Sequence, residues 1–572
     1  MSSSWDFSKH LRRPNIVGST HGIAAGHILA SQAGLQILEN GGNAIDAGVC
    51  AGLVLNVVES QQCSFSGVAP IIVYLRDTDQ AISIDGLGTW PAAASIERLT
   101  EQGHDHVPGG IEATVVPGAP DAWITALDRY GTLSFAEVAA AAIRYARDGF
   151  YMYDGMAQTV AARESEFPAG TEAHRILFPG GAAPVEGQLF KQVDLADSLT
   201  YMADEEAAAS GKGRSAGLKA ARDAFYKGDI AKAFVSYHQR HNGLLTMEDL
   251  AEYSVSIEEP LNVDFRGTRV YSCGPWSQGP MLLQQLNVLH DIDLEGLGHN
   301  SAGYIHTLVE TIKLVAQDRE RFYGDPKFVD VPLPHLLSAT HAAELRNQID
   351  PKRANTFTDP FANDNGLVTA GESGRLYNDT TYVSVVDQWG NAFSATPSDG
   401  VMHLSPVVPG TGMAVSPRGV QSRLNPAHPA ALGPGRRPRL TPNPALARHR
   451  DGTVMPFGTP GGDLQTQAML QFLLNHTVFG MNPQQAIEAP RVYSYDFPDS
   501  FAPHRREPRV VRVEDPFPAS VADELTQRGH VVKPWPVTEW PLTSVTATSS
   551  QFAEGRITAA ADFRRHAYAL GR

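Results

Sequence analysis

The stretch FANDNGLVTAGESGRLYND (361–379), rich in Gly and Asn, ends in Asp379 and runs straight into TYVSVV, a DQWGN turn and AFSAT. Side chains of a strand alternate between two faces, so the period-two pattern on both sides of the turn predicts a β-hairpin. Its first strand begins at Thr380–Thr381, immediately after a polar loop expected to be exposed. A chain cut before Thr380 would place a free α-amine on a residue that also owns a hydroxyl. With a pKa of ~8, that amine is partly neutral at pH 7 and can take the hydroxyl proton. One residue then supplies both nucleophile and base. Taken alone, a Thr-Thr pair at a strand start is also ordinary β-sequence.

Around this junction the chain reads as a mixed α/β protein. ILASQAGLQILENGGNAIDAGVCAGLVLNVVE (28–59) has helical periodicity broken at Gly41–Gly42–Asn43. One helix is expected to end at Asn40 and an Ala-rich one to begin near Ala44, small enough to pack closely on a sheet. PIIVYL (70–75) and AISID (81–85) read as strands around the polar turn RDTDQ. Helical stretches follow at 135–150, 206–234 and 304–323, then a helix at 464–478 and strands near 543–551 and 556–561. Residues 406–444 carry nine prolines with Arg418, Arg423, Arg436, Arg437 and Arg439, which predicts an ordered loop or lid.

Composition narrows the function. With 572 residues, 42% of them hydrophobic, the chain can build a large core. A net charge of −16 without a Lys/Arg-rich run argues against a nucleic-acid partner. Cys50, Cys63 and Cys273 have no CxxC spacing, so neither a disulfide framework nor a structural zinc site is expected. No apolar run has signal-peptide or membrane-spanning length, and the expectation is a soluble, cytoplasmic protein without a membrane partner.

Other segments hold chemistry-bearing patterns. Gly461–Gly462 precede a helix, where consecutive backbone amides can form an oxyanion hole; an ordinary helix-entry turn has the same look. Gly213-Arg214-Ser215-Ala216-Gly217 matches GxSxG, yet the polar EEAAASGK before it is no strand, as a nucleophile elbow requires. His104, His106, His238 and His241 lie in polar segments and lack ligand partners at metal-site spacing. GPGRRP (433–438) lacks the lysine and helix of a phosphate loop. No metal or organic cofactor is called for.

In order along the chain, LASQAGLQILENGGNAIDA (29–47), VPGAPDAW (116–123), FYKGDIAKAFV (225–235) and DRERFYGDPKFVDVP (318–332) resemble the gamma-glutamyltransferase family of self-cleaving N-terminal-nucleophile hydrolases. The resemblance continues through DTTYVSVVDQWGNAFSAT (379–396), FGTPGGD (457–463) and AADFRRHAYALGR (560–572). It implies an α/β (α+β) fold, a four-layer αββα sandwich made as one precursor and cut between Asp379 and Thr380. Residues 1–379 would form a large chain and 380–572 a small one, the two remaining associated, with an oligomer of such pairs left open. Thr380 falls at the family's nucleophile, Thr381 at the second threonine that positions it, and Ser398 at a supporting hydroxyl. Gly461 and Gly462 fall at its oxyanion glycines. The implied reaction is acyl transfer from a small-molecule amide through a threonyl ester to water or an amine.

The family's apparatus for gripping a γ-glutamyl group is altered. Its carboxylate-binding arginine would fall near Leu87, where no arginine stands, and its serine pair is replaced by Leu440–Thr441. Its acidic residue for the substrate amine would fall near Gln421, and its Gly-rich SGIGGGG-type segment reads SFSGVAP (64–70). Trp90 and Leu87 suggest a more apolar wall, and Arg418 or Arg423 offers a replacement carboxylate clamp. Glutaryl-cephalosporin acylases and oxamate-type amidohydrolases are therefore models beside γ-glutamyl hydrolysis. A catalytically silent relative that binds an acidic small molecule through the Arg/Pro lid is the alternative of another class, and a GxSxG esterase at Ser215 is the third.

Overall fold

The computed structural model describes residues 11–361, 379–400, 405–515, 517–537 and 543–572. Most of the polar stretch 361–379 lies outside the described residues.

Two seven-stranded antiparallel sheets form the centre. The first runs Ile16–Gly18, Arg556–Ala561, Thr546–Gln551, Val454–Gly458, Ala445–His449, Thr268–Ser272 and Leu261–Phe265. The second runs Tyr568–Gly571, Gly22–Ala25, Val383–Val386, Ala392–Ala395, Ile71–Leu75, Gln80–Ile84 and Ile257–Glu258. Val386, Ile72, Leu446 and Ile557 close the apolar layer between the sheets. Helices Ile28–Glu39 and Ala44–Val58 cover the second sheet, and Gly279–Leu289 and Gln465–Thr477 cover the first, giving the expected four layers.

The small residues of Ala44–Val58 explain how close that helix lies. Every one of its residues is buried, and a Cβ at Gly48 would overlap the Phe393 ring. Its start is fixed by an Asn43/Asp46 capping box, which satisfies backbone donors that a helix end leaves open. Asp387, in the hairpin turn, accepts from Ala44 N at 2.9 Å and Asn391 N at 2.9 Å, so it ties the hairpin to that helix.

Both sheets mix strands from before and after residue 380: Gly22–Ala25 pairs with Val383–Val386, and Thr268–Ser272 with Ala445–His449. A cut at this point would leave the two pieces locked by strand ladders.

The helix boundaries at Asn40 and Ala44 agree with the sequence reading, as does the helix Ala302–Phe322. The region 206–234 is three helices, Val193–Ala209, Arg214–Tyr226 and Asp229–Arg240, rather than one stretch. Ser215 sits in the first turn of Arg214–Tyr226 behind a helix, so no strand–turn–helix elbow exists there. His238 is fully buried, not on a polar surface; its Nδ1 accepts from Leu245 N at 3.4 Å, and burial lowers its pKa to about 4. No described helix is long and apolar enough to cross a membrane.

Candidate active site

The hairpin register builds the site. Val383 lies opposite Ala395, and the same register carries on to a bridge between Thr380 and Ser398. Thr381 N donates to Pro397 O at 3.0 Å, which holds the two ends together. Thr380 is 2% exposed and Asp379 4%, so the expected cut site is itself enclosed.

Thr380 Oγ1 lies 2.8 Å from Ser398 Oγ, and Ser398 Oγ donates to the carbonyl oxygen of Asp379 at 2.6 Å. A serine hydroxyl has one proton and two lone pairs. Since that proton goes to Asp379 O, Ser398 accepts from Thr380, and it accepts from Arg418 Nη2 as well. The threonine proton thus points at a hydroxyl polarised by a cation, while the Asp379 carbonyl, at the expected cut, already receives a hydrogen bond.

Arg418 is 1% exposed and anchors this side of the site. Its Nη2 donates to Asp379 Oδ2 at 2.9 Å and its Nε pairs with Asp399, which Ser416 Oγ also binds. Burial pushes the Asp399 carboxyl up to about 6 against the pull of Arg418, with Asp379 adding to the rise.

Behind Thr380, the Thr381 hydroxyl and the buried Glu59 carboxylate meet beside Gly26, and burial raises the Glu59 pKa. Arg565 Nη1 donates to Thr380 O at 3.2 Å. Gly26 N donates to Tyr382 O at 3.1 Å, and a Cβ at Gly26 would overlap both the Thr381 hydroxyl and the Glu59 carboxylate.

Gly461 and Gly462 follow the strand Val454–Gly458 with φ of +127° and +55°, a backbone path that side chains rarely adopt. Gly458 lies against the ring of Tyr382, which brings this loop alongside the strand that follows Thr380. Gln278 Nε2 donates to Gly462 O and Thr441 O, both at 2.8 Å, and Gln421 Nε2 donates to Thr441 Oγ1 at 3.0 Å. Gln421, Thr441 and the glycine loop are thereby one connected group.

The remaining residues singled out in the sequence are packed inside the protein. Leu440 and Leu87 pack in one apolar cluster between the sheets. Trp90 is 2% exposed, donates from Nε1 to Ser422 Oγ at 2.9 Å and packs on Gly419. Arg423 directs its Nη2 to Glu320 at 2.8 Å, where Arg319 and Arg439 converge at 2.9 and 2.8 Å. Arg319 also binds Asp463, the residue after Gly461–Gly462. Arg418, Arg423, Arg437 and Arg439 are thus buried cross-ties, not a solvated loop; Arg437, for example, joins Asp85 and Asp325 at 2.8 Å each.

Sequence reasoning missed Asp399, Glu59, Arg565 and Glu320. Asp399 follows Ser398 directly, which is the one local signal among the four.

The family model described as Gamma-glutamyltranspeptidase matches residues 30–571. The glutathione hydrolase-like YwrD proenzyme of Bacillus subtilis (strain 168) is 31% identical over 563 residues, covering 97% of this chain and 99% of its own. The acylase ACY 1 proenzyme of Pseudomonas sp. (strain SE83) is also 31% identical, over 90% of this chain and 88% of its own. Among solved structures, LmbA2991HD aligns with a TM-score of 0.92 and 36% identity, over 98% of this chain and 100% of that one. With the two-sheet sandwich and a family match over nearly its whole length, the chain belongs to the gamma-glutamyltranspeptidase family.

Proposed function

We propose that the protein is a self-cleaving N-terminal threonine amidase. The chain is cut between Asp379 and Thr380 into parts of 379 and 193 residues, and the new α-amine of Thr380 serves as base for its own hydroxyl. The observation that carries this reading is the relay Thr380 Oγ1–Ser398 Oγ–Asp379 O, at 2.8 and 2.6 Å, on the bond to be cut.

In turnover Thr380 Oγ1 attacks the amide carbonyl, the Gly461 and Gly462 amides receive the developing oxyanion, and the leaving amine takes the proton. Water or an acceptor amine then releases the acyl group from the ester. Ser398 orients the nucleophile, and Glu59 fixes Thr381 beside it. No step uses a cofactor.

The acyl group is that of a small amide. An acylase-type substrate is favoured over a γ-glutamyl one by Leu440 in the apolar core and by the uncharged pair Gln421–Thr441. Likeness to the Pseudomonas acylase supports the same choice. The test is hydrolysis of γ-glutamyl, glutaryl and oxamate-type amides by the wild type beside Thr380→Ala. Activity lost with Thr380 and found on one of these acyl groups supports the reading. Activity that survives Thr380→Ala, or a wild-type chain that is never cut at Thr380, overturns it.

A further inference from the structure

The bond that this reading breaks first also describes the acyl group the finished site is shaped to hold. In self-cleavage Thr380 Oγ1 bonds to the Asp379 carbonyl carbon, the C–N bond breaks, and the Thr380 nitrogen takes the proton. The product is an ester on Thr380 whose acyl part is Asp379. Water then releases Asp379 and restores the hydroxyl. A substrate passes through an ester on the same oxygen, so its acyl group follows the path that Asp379 occupied.

That path has a charged end. The Asp379 carboxylate, separated from the reacting carbonyl by two carbons, meets Arg418 Nη2 at 2.9 Å in a site where both residues are buried. We propose that the mature site selects acyl groups of succinyl type, four-carbon dicarboxylic half-amides whose free carboxylate binds Arg418. The proposal rests on the threonine-amidase reading and names the substrate class of that site.

Three features support it. Arg418 Nη1 is buried without a hydrogen-bond partner among the described residues, leaving a second donor for a bidentate grip. Once Asp379 departs, Arg418 keeps one carboxylate, Asp399, and has a donor directed at the vacated position. Phe501 lies with its ring 5.4 Å from the guanidinium and walls it in. A glutaryl or γ-glutamyl chain has three carbons, one more, between the carbonyl and the acid. It has to buckle to reach the same nitrogen.

The experiment is kcat/KM on the processed wild-type protein for p-nitroanilides with succinyl, glutaryl, γ-glutamyl, butyryl and succinamoyl groups. Succinamoyl keeps the shape of succinyl without its charge. The expected result is succinyl ahead of butyryl and succinamoyl by at least about tenfold, since butyryl leaves the buried donors unpaired and succinamoyl offers them one uncharged acceptor with an NH2 in place of the second, and ahead of both longer acids. Equal rates for succinyl and succinamoyl, a lead for a longer acid, or no turnover of any member by a chain cut at Thr380 overturns the proposal while the self-cleavage stands. A chain that never cuts sinks the underlying reading instead.

Discussion

Replacing Ser398 by alanine removes two functions at once. The Ser398 hydroxyl donates to the Asp379 carbonyl at 2.6 Å and accepts the Thr380 proton at 2.8 Å, with Arg418 polarising it. Loss of one preorganised donor at a developing oxyanion slows acyl transfer by about 10²–10³, or ~3–4 kcal/mol of barrier. The lost proton acceptor adds to that figure. The fold should survive, because removing one buried hydrogen-bonding group costs about 1–3 kcal/mol. Self-cleavage of Ser398→Ala is therefore expected to slow by at least about 10²-fold, with Ser398→Thr much closer to the wild type because it keeps the hydroxyl. The assay is a time course of intact and cut chain on denaturing gels, with melting curves to verify folding. A Ser398→Ala chain that cuts within about threefold of the wild-type rate would refute the relay, since that ratio amounts to less than ~1 kcal/mol.

Two further outcomes follow from the packing. Gly26→Ala pushes a methyl into the Thr381 hydroxyl and the Glu59 carboxylate, so self-cleavage should fall at least about tenfold while stability drops by ~1–3 kcal/mol; unchanged cleavage on the same gels would contradict this. Burial lowers the pKa of His27, His238, His428 and His449 to about 4, and of His530 to about 3. The folded state prefers these rings neutral, so their contribution is complete above the unfolded value of ~6.5 and declines as pH falls toward 4, by on the order of 1–2 kcal/mol each at pH 5. The urea midpoint should drop steeply from pH 6.5 to 4.5, and a flat profile over that range would contradict it.

The sequence was most legible where a local rule controls structure. The alternation of TYVSVV and AFSAT predicts the hairpin, and its register alone places Thr380 opposite Ser398. The Gly-Gly-Asn break marks two helix ends because its capping partners are three residues apart. Buried charge pairing was not legible. Arg423 meets Glu320 across 103 residues and Arg319 meets Asp463 across 144, distances at which no pattern in one sequence specifies a partner. The same holds for Arg418: its chemistry was readable, whereas its grip on Asp379 and Asp399 depends on how 406–444 folds back over the hairpin. His238 was misread for a related reason, since its polar neighbours surround a ring that the helix turns inward.

The most direct test of the account is intact-mass and N-terminal analysis of the purified protein beside Thr380→Ala. Two chains of about 41 and 21 kDa are expected, dividing 61.7 kDa by length, with the smaller beginning at Thr380, and a single uncut chain for the variant. A wild-type protein that stays whole, or is cut at another bond, would leave Thr380 without its α-amine and contradict the central claim.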